Sequence, residues 1–95
     1  MKVTNMISKS SGRMVANQFI ITDENKTYFQ SYQTIIAKKT ILCDQAKPLL
    51  VELDFICWDY TRTTGRYRNQ FLGETKKETE AKIKDGTYIL ADLNR

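Results

Sequence analysis

The sequence contains no histidine, a single proline, a single tryptophan and two cysteines among 95 residues. Without histidine there is no side chain whose ordinary pKa lies near neutrality, so imidazole acid–base catalysis and histidine-containing metal sites are excluded. Cys43 and Cys57 allow at most one disulfide and are not spaced as a CxxC pair. A zinc site would need two further thiolates or carboxylates, so the pair reads as two buried thiols in a reducing compartment. A P-loop and a GxGxxG arrangement are also missing. No apolar run approaches the ~18 residues of a membrane span, and the first twelve residues are too polar for a signal peptide. The expectation is a chain with no cofactor, metal or membrane contact that acts in the cytoplasm of the cell that makes it.

What is present is ordinary globular material. Hydrophobic residues make up 41%, aromatics 11% and charged residues 27% of the chain, which argues against disorder. A chain of this length forms one domain, here residues 1–95, and buries roughly 60–65% of its unfolded surface around one core. The net charge of +4 is uneven: residues 1–47 carry seven Lys/Arg against three Asp/Glu, and residues 48–95 carry eight of each. Such an excess suits nucleic acid or an acidic protein partner, and it also lies within the range of solubilising charge.

Residues 1–13 read as a weak first strand or a loosely held N-terminal arm. Residues 18–22 and 27–30 are rich in β-formers and flank a polar loop at 23–26, which predicts a hairpin. Ser31 is placed to cap a short helix over 32–39, with Tyr32, Ile35, Ile36 and Lys39 at helical spacing. Residues 40–43 predict a short strand, and 44–48 a loop ending at Pro48. From Leu49 the pattern alternates: Leu49, Val51, Leu53, Phe55 and Cys57 share a face, which predicts a strand in the centre of the sheet. From an N-cap at Asp59, the residues Tyr60, Thr64, Tyr67 and Phe71 fall within about 60° of one another on a helix. Gly73 ends that helix, Thr75 and Glu78 form a capping box for another, Gly86 stops it, and 87–91 predict a final strand. The order is β-β-α-β-β-α-α-β: an α+β fold with a mainly antiparallel sheet and two to three short helices on one face.

Positive charge and aromatic surface coincide once, between Trp58 and Leu72. The helical spacing projects Arg62 and Arg66 outward one turn apart, where they can clamp successive phosphates or a carboxylate, with Arg68 on one flank. Trp58 serves either as a stacking surface or as a core residue where strand meets helix. Tyr60, Tyr67 and Phe71 form the inward stripe. Lys38 and Lys39 make a second basic cluster, which equally suits the C-terminal dipole of the expected short helix. Glu52, Asp54 and Asp59 keep carboxylate chemistry formally open, although Glu52 and Asp54 read more simply as a solvated strand face.

Several stretches carry a resemblance. They are Ser11-Gly12-Arg13 with Val15 and Asn17-Gln18-Phe19; Phe29-Gln30-Ser31-Tyr32 with Ile35-Ile36-Ala37; Trp58-Asp59-Tyr60-Thr61 with Thr63-Thr64, Tyr67 and Phe71-Leu72; and Gly86, Tyr88 and Asp92-Leu93-Asn94. Together they resemble a family of short uncharacterised proteins of bacteriophages and mobile elements, over most of the chain. The resemblance implies an accessory protein of phage or plasmid type and brings no catalytic residues. The leading expectation is a non-enzymatic protein that binds nucleic acid or a nucleoprotein through Arg62, Arg66, Arg68 and neighbouring aromatics. The alternative is a protein–protein inhibitor of a host defence or regulatory complex, anti-CRISPR-like in logic, using the same surface.

Overall fold

A computed structural model describes residues 1–43, 45–46 and 48–94. Asp44 and Lys47 of the expected loop, and Arg95, lie outside the described residues. The elements in order are β1 (Lys2–Ile7), β2 (Met14–Asp23), β3 (Lys26–Ser31), β4 (Thr34–Ile41), β5 (Leu49–Asp54), α1 (Arg62–Leu72), α2 (Lys76–Lys84) and β6 (Tyr88–Ala91). The six strands form one sheet in sequence order; the first five pair antiparallel with their chain neighbours, and β6 lies parallel to β5. The fold is thus α+β but dominated by its sheet, with two helices among the described residues.

The main departure from expectation is the first helix. Residues 34–41 are a strand, and β3 turns into it through Tyr32 and Gln33 alone. Five of the eight residues of β4 are β-branched, which favours a pleated strand over a helix. The adjacent Ile35 and Ile36 imitated a helical stripe because the register shifts there: Phe29 pairs with Ala37 and Gln30 with Ile35, leaving Ile36 as a bulge. A bulge breaks the alternation, and it lets Ile36 and Ala37 both be buried. Ser31, expected as a helix cap, instead ends β3, and its hydroxyl lies 3.1 Å from Thr64 Oγ1.

Other corrections are smaller. Lys2–Ile7 pairs with β2, so the strand reading of the N-terminus describes it. The β2–β3 loop has two residues, not four, with Glu24 at φ 53°. The strand expected to be central, β5, is second from the edge. It ends at Asp54, short of Cys57 and Trp58. Asp54 is not on a solvated face either. It is fully buried: Oδ2 accepts from the amides of Cys57 (2.8 Å) and Ile56 (3.3 Å), and Oδ1 from that of Leu93 (3.1 Å). Cys43 is exposed and Cys57 half-buried, against the reading of two buried thiols.

The register places Thr4, Ile20, Phe29, Ala37, Leu53 and Leu90 in one row across all six strands. Its middle is the core: Phe29, Ala37 and Leu53 are fully buried. The Phe29 ring stacks on Phe71 of α1, with centroids 5.8 Å apart. The next row runs Val3, Ile21, Tyr28, Lys38, Glu52, Ile89. Side chains alternate along each strand, so this row faces away from the helices. α1 starts at Thr61, whose hydroxyl accepts from the Thr64 amide, and ends at Gly73, whose φ of 71° is the left-handed conformation glycine adopts without strain. α2 has the expected capping box between Thr75 and Glu78.

Candidate nucleic-acid interface on the first helix

α1 buries Thr64, Gly65, Tyr67, Arg68 and Phe71 and leaves Arg62 and Arg66 exposed. The spacing 64, 67, 68, 71 is a core-facing stripe, and Arg68 belongs to it. Arg68 is therefore not on the outer face: it is 1% exposed. Its Nη1 donates to the Trp58 carbonyl (2.8 Å) and to Asp59 Oδ1 (3.0 Å), and its Nη2 donates to Asn69 Oδ1 (2.9 Å). The guanidinium also lies 5.1 Å from the Trp58 ring, which ties that half-buried indole to the core edge.

The true N-cap is Thr61, because Asp59 is occupied elsewhere. Its Oδ2 lies 2.7 Å from Lys76 Nζ while Oδ1 holds Arg68. The hydrogen bond from Lys76, with Arg68 adding to it against the opposing effect of burial, holds the Asp59 carboxyl below its usual range. Tyr60, expected to point inward, stays outside the helix and is 71% exposed.

The second basic cluster divides across the sheet. Lys38 faces away from the helices, 3.8 Å from Glu52 and over the Tyr28 ring. Lys39 faces α1: its Nζ donates to the Phe71 carbonyl (2.6 Å) and sits 4.3 Å from the Phe71 ring. Burial lowers the Lys39 pKa, opposed by Glu74. A lysine here serves the carbonyl end of α1, where cations are favoured.

Arg62 and Arg66 remain. Neither is in an ion pair among the described residues. Both line a depression shared with Asn69 and with the paired Asp59 and Lys76, and Arg66 also borders a second one shared with Lys9, Gln70, Glu74 and Glu78. The loop between β1 and β2 that carries Lys9 is drawn to the helix by Gln70, whose Nε2 donates to the Ile7 carbonyl (2.7 Å). The outer face of α1 therefore offers two guanidinium groups without carboxylate partners among the described residues, flanked by Lys9 and by Lys76, which is paired with Asp59.

Residues 1–86 match the model of a family of unknown function, DUF8033. The chain belongs to that family. No curated protein and no solved structure matches it. In this DUF8033 chain the match spans β1 to α2 and includes Arg62 and Arg66, while β6 follows it.

Two features of the DUF8033 chain have no local signal in its sequence. Lys9 and Lys76 lie far from Arg66 along the chain, and only the tertiary fold brings them together. The second feature is a cleft of about 540 Å³ on the first turn of α1, bordered by Tyr32 of the β3–β4 turn and by Tyr60, Thr61 and Thr64. A Tyr at a helical core spacing gave no sign that it would stay outside.

Proposed function

We propose that this DUF8033 chain is a non-catalytic binding protein of phage or mobile-element type, acting in the bacterial cytoplasm, that engages nucleic acid or a nucleoprotein through the outer face of α1. The observation that carries this reading is the pair of exposed arginines, one helical turn apart and free of carboxylate partners among the described residues, with Lys9 and Lys76 beside them. Planar guanidinium groups at this spacing match consecutive phosphate oxygens. The non-catalytic part rests on the absence of histidine and on the engagement of the carboxylates. Asp54 holds backbone amides, Glu52 pairs with Lys38, and Asp59 bridges Arg68 and Lys76. The phage setting rests on the sequence resemblance.

Fluorescence anisotropy against generic DNA and RNA across a salt series tests the reading. Affinity should fall linearly with log salt, and the Arg62→Ala, Arg66→Ala double variant should shallow that slope by roughly 1.4–1.8 units. Wild-type binding with an unchanged slope in the double variant would remove the site, and no binding at low salt would remove the function.

A second reading, an inhibitor acting by protein–protein contact, is favoured by the sheet face away from the helices, where Val3 and Ile89 are exposed. A partner retained from host lysate after nuclease treatment, and unaffected by the arginine substitutions, would support it over the first.

A further inference from the structure

Two depressions share the first turn of α1. One is the basic depression with Arg62 and Arg66, and the other is the cleft bordered by Tyr32 and Tyr60. Among the described residues no charged side chain lines the cleft: its walls are hydroxyl and amide groups such as those of Asn17, Gln33 and Thr61, with Phe19 and Ile36 supplying apolar surface. Ionic groups entering it would lose hydration without gaining a counter-charge, whereas a neutral, flat molecule with several donors and acceptors would find both partners and apolar surface.

The two tyrosines are the second observation. Tyr32 is 59% exposed and Tyr60 71%, so neither ring contributes appreciably to the core. Tyr32 is moreover held in a conformation that a bulky residue rarely adopts. Its φ is 56°, at the first position of a two-residue turn where glycine is the relaxed choice. The turn is fixed by the Tyr32 amide, which donates to the carbonyl of Asn17 (2.7 Å), itself at φ 65°. Strain of this kind at an exposed aromatic points to a role for the ring rather than for the backbone.

We propose that this cleft receives one unpaired nucleobase of a single-stranded nucleic acid whose phosphates lie on Arg62 and Arg66; the proposal rests on the nucleic-acid reading above and narrows it to a class of substrate. In a duplex the base faces are stacked away, so only an unstacked base can present its π-face to a tyrosine while offering its edge to amide and hydroxyl groups. The neutral cleft then matches the uncharged part of the nucleotide, and the neighbouring arginines match the charged part.

The test uses the full chain and four probes of equal length at one salt concentration: labelled oligothymidylate, oligouridylate, an abasic oligodeoxyribonucleotide and a DNA duplex. One or both base-bearing single strands should bind about tenfold more tightly than the abasic strand, and more tightly than the duplex. Tyr60→Ala and Tyr32→Gly should each abolish that preference while leaving the abasic strand's affinity unchanged. Tyr32→Gly should also leave the midpoint of thermal unfolding within a few degrees of wild type, because relief at φ 56° and the greater unfolded-state entropy of glycine oppose each other, which separates loss of the ring from loss of the fold. Equal affinity for abasic and base-bearing strands, tighter duplex binding, or tyrosine variants that keep the preference would each overturn the cleft assignment. In those cases a salt slope that still depends on Arg62 and Arg66 leaves the broader function standing. Absence of binding to all four probes would remove both. A nuclease-resistant protein partner lost on Tyr60→Ala would assign the cleft to protein and overturn the proposal.

Discussion

Arg68→Ala should lower stability in urea denaturation by about 3 kcal/mol, a large share of the roughly 5–14 kcal/mol expected for a chain of this length. The guanidinium spans the Trp58 carbonyl, Asp59 and Asn69 from a site 1% exposed to solvent. Truncation removes three charge-assisted hydrogen bonds and opens a void beneath Trp58. Arg68→Lys should recover only part of the loss, since one ammonium cannot reproduce a planar fork across three acceptors. Arg62→Ala, on the outer face, should stay within about 0.5 kcal/mol of wild type. Equal costs at the two positions would show that the buried strap contributes nothing.

The same substitution carries a pH signature. Asp59 has its carboxyl lowered from 3.8 in the fold by Lys76 first and Arg68 after it. A depressed carboxylate contributes stability that is complete above its unfolded pKa and fades as pH falls through the folded one. Arg68→Ala removes one of the two cations, so its loss of stability below about pH 4 should be shallower than that of the wild type.

Phe29→Ala should cost about 4 kcal/mol, the middle of the range for emptying a buried aromatic position. Phe29 is fully buried in the middle of the row that links β2 to β5, and its ring is the stacking partner of Phe71. Its neighbour Ala37 has too small a side chain to close the void. A cycle with Phe71→Leu should return a coupling of about 1 kcal/mol, because part of each ring's contribution is the other ring. A cost below about 1 kcal/mol for Phe29→Ala would mean that α1 is held on the sheet by something other than this pair.

Which parts of this molecule could be seen in the chain depends on how local their causes are. The capping box of Thr75 and Glu78 and the stop at Gly73 are set by residues a few positions apart, and both are present; the alternation from Leu49 marks a strand, but that strand stops at Asp54 and buries Asp54 itself. β4 departs from the helix expected there because a bulge, a property of the pairing between strands, puts Ile35 and Ile36 at a spacing that also suits a helix. Arg68 departs from the flank expected for it because charge favours exposure unless a compensating group stands nearby. That group is the Trp58–Asp59 turn folding back beneath the helix. The expected stripe of Tyr60, Thr64, Tyr67 and Phe71 leaves Arg68 on its flank, whereas the stripe in the fold drops Tyr60 and takes in Arg68. Arg62 and Arg66 stay on the outer face for the opposite reason: no carboxylate among the described residues pairs with either, and Arg66 only lies 5.7 Å from the neighbouring Tyr67 ring.

The order of strands in the sheet governs how the molecule comes apart. Five strands meet chain neighbours, so most of the sheet forms with little loop-closure entropy and a low contact order. Only β6 must return across both helices to pair with β5, and it does so at an edge, aided by Leu93 on Asp54 and by Asn94, whose amide group bridges the backbone of Ile35. The last strand is thus a latch on a self-sufficient meander. Native-state hydrogen exchange should show the amides of 88–91 opening at lower free energy than those of β3, and equal protection would mean that sheet and latch unfold as one unit.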